Sequence, residues 1–151
     1  MIETLTLKGR GIAKGRAEGK ALVADATLSF WGEVDPVTGK VISVGHPLEG
    51  KSLGGRVLVI RSTRGSSATP MILRLASLEG HAPAAFVNLE VDALAALGCI
   101  VNRIPMVAGL GQDVFRIIQD GDHLVVDADQ GMVTVLKGPS PTAAEEGPAD
   151  R

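Results

Sequence analysis

The sequence predicts an α/β fold of three layers, two of strand and one of helix. Three observations carry this. Short, β-branched apolar runs bounded by glycine recur along the chain, led by Val57-Leu-Val-Ile60. Only two or three stretches have helical periodicity, too few to cover both faces of a parallel sheet, which argues against a doubly wound arrangement. No internal repeat or interdomain linker interrupts the pattern, and 151 residues are enough for one domain with its own core.

The composition sets further bounds. The chain is 45% hydrophobic but only 3% aromatic, without tyrosine, so Val, Ile, Leu and Ala must fill the core. Nineteen glycines imply many tight turns. A net charge of −2, with no basic stripe and no aromatic stacking set, excludes nucleic-acid binding as the expected function. No apolar run approaches the ~20 residues of a membrane helix. Met1 to Leu7 lacks the layout of a signal peptide, so a cytoplasmic location is expected. The single cysteine, Cys99, excludes an intrachain disulfide and any cluster held by this chain's cysteines alone. Its context, Leu97-Gly-Cys-Ile-Val101, reads as that of a small buried hydrophobe, with a nucleophile or a ligand shared between subunits as the alternative.

Residues 5 to 23 read as strand, because Gly9, Gly11, Gly15 and Gly19 weaken any helix. The same glycines would let a ligand or a second chain approach the backbone. Leu28-Ser-Phe-Trp-Gly32 carries the only tryptophan; its aromatics either pack the core, the preferred reading, or line a cleft. Asp35-Pro-Val-Thr-Gly39 is a turn, after which Val41 and Val44 continue as strand. His46 to Gly55 is a long polar loop, and His46 reads as an ordinary hydrogen-bonding residue. The buried strand Arg56 to Ile60 follows, then a helix with Met71, Ile72, Leu75 and Leu78 on one face, closed by Gly80. A second buried strand spans Ala84 to Leu89. Asp92 caps a short helix, Ala93 to Leu97, which Gly98 closes before a third strand starts at Ile100-Val101. Ile104 to Val107 is extended, Val114 to Gln119 is a short helix or strand, and Asp120 to His123 is a turn. Leu124 to Leu136 forms a hairpin around Asp129-Gln-Gly131. One domain therefore covers residues 1–137, and 138–151 reads as a disordered tail.

The chemistry concentrates in Arg61-Ser-Thr-Arg-Gly-Ser-Ser-Ala-Thr-Pro70, a strand-to-helix loop with two arginines and five hydroxyls. Free N–H groups and the dipole at a helix start form an anion site, and Arg64 adds a cation that can fork onto a carboxylate or phosphate. Ser66 or Ser67 would sit where an alkoxide is stabilised. The plainer reading is that these hydroxyls cap the helix. No P-loop, metal-ligand spacing or Gly-x-Ser-x-Gly elbow is present, and His81 and His123 read as surface residues. The set looks like half an active site: anion-holding groups and a proton acceptor, without an electrophile.

Five segments, Gly15 to Val23, Leu28 to Gly32, Val34 to Gly39, His46 to Gly55 and Arg64-Gly-Ser-Ser67, in this order, resemble the small subunit of the aconitase X family over about residues 7 to 137. The resemblance implies the swivelling β/β/α domain of aconitases. It also implies a large-subunit partner that carries an iron–sulfur cluster on its own cysteines. The implied activity is that of a hydro-lyase, active only as the assembled pair. Ser66 would be the proton acceptor, while Arg64, Gly65 and Ser67 would bind substrate and the partner's iron would bind the leaving hydroxyl. Ala68 and Thr69 stand where aconitases continue with Arg and Glu, so Arg64 would take that arginine's place. The Ala-, Gly- and Pro-rich composition favours the bacterial substrate, cis-3-hydroxy-L-proline, over the archaeal one, mevalonate 5-phosphate. Ile104 to Gly109 and Asp120 to Val133 are also similar to phosphohistidine swivelling domains, but the comparable loop has no histidine, which removes the nucleophile a phosphoryl carrier needs. A noncatalytic regulatory subunit is the third reading.

Overall fold

The computed structural model describes residues 3–137; the tail expected at 138–151 lies outside the described residues. Eight strands form one continuous mixed sheet: β1 (Glu3–Lys8), β2 (Arg10–Ala13), β3 (Arg16–Leu28), β4 (Val57–Thr63), β5 (Ala85–Asn88), β6 (Met106–Ala108), β7 (His123–Asp127) and β8 (Met132–Lys137). Their spatial order is β1-β8-β7-β3-β4-β5-β6-β2. The first half of β3 pairs antiparallel with β7, and its second half pairs parallel with β4. One thirteen-residue strand therefore belongs to both strand layers. Two ten-residue helices, α2 (Thr69–Leu78) and α3 (Ala93–Asn102), make the third layer; α1 (Phe30–Glu33) and α4 (Val114–Ile117) are single turns.

Alternation along the central strands sorts the core into two sides. Val57, Val59, Ala85, Val87 and Val107 face Leu124, Val126, Val133 and Val135 between the strand layers. Leu58, Ile60, Phe86 and Met106 face Ile72, Leu73, Ala95 and Cys99 beneath the helices. Val57 through Ile60 are wholly buried, as a strand covered on both faces requires.

Gly9 and Gly11 admit the chain's own backbone. A Cβ on Gly9 would lie 2.3 Å from the Ala108 carbonyl oxygen, and one on Gly11 1.8 Å from that of Ala128. At this seam β1, paired with β8, passes into β2, paired with β6, and the two strand layers meet.

Several local expectations differ from the structure. The aromatic segment splits: Phe30 is fully buried while Trp31 is 63% exposed. Val41 makes only an isolated bridge to Val34, and Val44 is 90% exposed, so no strand forms there. On α2 the buried stripe is Thr69, Ile72, Leu73 and Ala76, with Met71, Leu75 and Leu78 exposed. Gly98 does not end α3. It lies inside the helix, where a Cβ would meet Leu73 Cδ1 at 2.8 Å and Pro70 Cα at 3.3 Å, so it sets the approach of α2 to α3. Ile100 and Val101 are accordingly helical, and α3 ends at Arg103 in the left-handed region (φ 58°).

Candidate active site

The loop at the head of α2 is shorter than the sequence suggests. Arg61, Ser62 and Thr63 continue β4, so the connection is Arg64 to Ala68. Ala68 occupies the N-cap position and no side chain caps α2. The Ala68 N–H donates to Ser66 Oγ (3.1 Å), and the Thr69 N–H donates to the Ser66 carbonyl (3.0 Å). Neither serine therefore caps the helix; Ser66 closes a local turn, half-buried, and Ser67 is exposed. Among the described residues, the amides of Gly65, Ser66, Ser67 and Met71 make no hydrogen bond. These main-chain groups are free to hold an anion.

Each arginine of this stretch has a carboxylate partner. Arg61 donates from Nε and Nη2 to Asp25 Oδ1 at 3.0 and 2.7 Å. Arg64 pairs with Glu33 Oε1 at 2.5 Å, and its Nη1 donates to Thr27 Oγ1 at 3.2 Å. Glu33 also accepts from the Ser29 amide (2.7 Å) and the Ser43 hydroxyl (2.9 Å). Burial alone would raise the Glu33 pKa. The Ser29 and Ser43 hydrogen bonds and the Arg64 guanidinium outweigh it and hold the carboxyl below its usual range. His46 Nε2 donates to the Thr27 carbonyl (2.8 Å) while its Nδ1 accepts from the Leu48 amide (3.0 Å), which braces Thr27, the residue whose hydroxyl receives Arg64.

Asp92 closes the other side. Its Oδ1 caps α3 through the Leu94 amide (3.4 Å), and its Oδ2 accepts from the Thr63 hydroxyl (2.8 Å). A Cβ on Gly65 would come within 3.3 Å of Asp92 Oδ1, so glycine lets the loop lie against this carboxylate. The structure thus brings Arg64, Gly65, Ser66 and Ser67 together on one loop. It adds Glu33, Thr27 and Asp92, which sequence reasoning missed as parts of the site. Asp92 carried a signal, its helix-capping position, but its second bond to Thr63 is tertiary.

Among the described residues, no group of three or more His, Cys, Asp and Glu side chains is placed to hold a metal. Cys99 is fully buried, and burial pushes its thiol up to about 12, the setting of a small buried hydrophobe. The donor set on this chain does not fit an iron–sulfur cluster. Among the described residues, no helix is long and apolar enough to cross a membrane.

Residues 6–135 match the aconitase X swivel domain family. The chain belongs to that family. Similar relatives include the phosphomevalonate dehydratase small subunits of Methanosarcina mazei, 38% identical over 88% of this chain and 92% of the relative, and of Methanocella arvoryzae, 40% identical over 85% and 98%. The crystal structure of Thermococcus kodakaraensis aconitase X in its holo-form superposes on this swivel domain with a TM-score of 0.82, at 37% identity over 88% of this chain and 99% of that one. These names do not support the hydroxyproline that the composition suggested; compositional bias follows genome and lineage and carries no information about the pocket.

Proposed function

We propose that this swivel domain is the small subunit of a two-chain hydro-lyase that dehydrates mevalonate 5-phosphate, with Ser66 as proton acceptor. The relatives' shared name over nearly the whole chain supports the substrate. The observation that carries the role of Ser66 is its place at the head of α2, its Oγ already receiving the Ala68 N–H. In the reaction, Ser66 Oγ, as the alkoxide left once its own proton has passed to solvent, takes a carbon-bound proton, the released electron pair forms a carbon–carbon double bond, and the neighbouring carbon–oxygen bond breaks to release hydroxide. The substrate is thereby split into an alkene and the elements of water.

A serine hydroxyl is a weak base in water. The Ala68 N–H, the unpartnered amides beside it and the positive end of the α2 dipole all favour the anionic oxygen. Arg64, fixed by Glu33 and Thr27 yet 53% exposed, orients a carboxylate or phosphate with its remaining N–H groups; Gly65 and Ser67 complete the substrate-facing loop. Departure of the hydroxide is not served by this chain, and the iron–sulfur cluster belongs with the large subunit. The exposed apolar stripe of α2, Met71, Leu75 and Leu78, supports the presence of a partner.

The test is co-expression with a cysteine-bearing large chain and anaerobic turnover assays on both substrates. Mevalonate 5-phosphate should be dehydrated by the pair and by neither chain alone. Turnover of cis-3-hydroxy-L-proline with none of the phosphate would overturn the substrate, and activity of the small chain alone would overturn the division of labour.

A further inference from the structure

An open groove of about 750 Å³ lies at the far end of the parallel strands from Ser66. Ala84 and Pro105 border it just before β5 and β6 begin, whereas Ser66 follows the end of β4, which runs parallel to them. Its volume falls within the ~300–1,000 Å³ range of small-molecule sites.

The groove is cationic. Lys14, Arg16 and Arg103 line it, and none of the three makes an ion pair or a side-chain hydrogen bond among the described residues. Asp129 is the one carboxylate in the lining, and its Oδ1 is engaged by the Gly15 N–H at 3.0 Å. Ile12, Ile100 and Pro105 give the lining an apolar part.

Its walls are fixed by main-chain bonds. The Ala128 N–H donates to the Gly15 carbonyl (2.9 Å), and the Phe86 N–H donates to the Pro105 carbonyl (2.9 Å). Gly15, at φ 126°, lies so close to Pro105 that a Cβ would stand 3.1 Å from its ring. Arg103 is the only non-glycine residue with positive φ among those described. That position at a helix C-terminus is one that glycine fills without steric cost. The chain places a long cation there instead, and strain of this kind clusters at ligand sites.

We propose that this groove binds a small phosphate-type anion carrying two or more charges and joined to an apolar body. Lys14, Arg16 and Arg103 take the charge, and Ile12, Ile100 and Pro105 take the apolar part. This assignment is independent of the role given to Ser66.

The test is titration of the full ¹⁵N-labelled chain with sodium pyrophosphate at constant ionic strength, followed by amide shifts. Saturable shifts are expected at residues 12–17, 84–86, 100–105 and 128–130. Arg103→Gly, which suits the local backbone, should weaken binding by about tenfold or more while leaving the rest of the spectrum in place. Shifts that grow linearly and spread over every lysine and arginine would overturn the site, as would shifts centred on residues 64–69 or an unchanged midpoint in Arg103→Gly.

Discussion

The two ends of the parallel strands handle charge in opposite ways. At the Ser66 end each arginine is answered by a carboxylate, Arg61 by Asp25 and Arg64 by Glu33, and Asp92 lies against Gly65. At the groove end Lys14, Arg16 and Arg103 have no carboxylate partner among the described residues. The first arrangement holds groups still and leaves main-chain N–H groups to meet negative charge; the second leaves the side chains themselves available. Fixed dipoles suit a charge that develops during a reaction, and free cations suit a ligand that arrives charged.

The largest effect that would break this contrast is at Ser66. Ser66→Ala should lower turnover of the assembled pair by about 10²-fold or more, with assembly retained on size-exclusion chromatography; turnover within a few fold of wild type would remove the hydroxyl from the reaction. Asp92→Ala comes next. It deprives Thr63 of its acceptor and α3 of its cap, and should cost about 2–3 kcal/mol in urea unfolding.

Glu33→Gln probes the held state of Arg64 and should cost about 1–2 kcal/mol at pH 7, the scale of hydrogen bonds to a charged group. The pH dependence has a definite sign. The carboxyl of folded Glu33 is lowered from 4.5, so the folded protein binds fewer protons there than the unfolded chain. Its stabilisation is complete above the unfolded pKa and disappears as pH falls through the folded one. The wild-type and Glu33→Gln stabilities should therefore converge on acidification below about pH 4.5 and stay apart above it; a constant gap would disconnect the carboxylate from the effect. The smallest effect has the opposite sign: Arg103→Gly should raise stability by roughly 0.5–1 kcal/mol by relieving the left-handed backbone, measurable as a small rise in Tm.

The architecture was legible because the apolar runs Val57 to Ile60 and Ala84 to Leu89, together with only two or three helical stretches, leave few ways to cover the strands. The phase of α2 was not. Met71, Leu75 and Leu78 form as regular an apolar stripe as Ile72, Leu73 and Ala76, and the choice between them is made by the sheet and by the gap at Gly98, both distant in sequence. The candidate site was half legible. Local order places Arg64 to Ser67 on one loop, whereas the partners that tie down Arg64 come from residues 27 and 33, more than thirty positions upstream. A cation's availability depends on its neighbours in space, so a linear reading counts all of Arg64 as free when Glu33 and Thr27 already hold part of its fork.

The strand shared by both layers has a kinetic corollary. Because Ala17 pairs with Val126 while Val23 pairs with Val59, neither layer can settle its alignment before the other. Glu3 aligns with Lys137, so the outermost pairing also waits for nearly the whole described span. Such distant pairings place the domain among slow folders, on the order of milliseconds to seconds, and they should make its unfolding all-or-none.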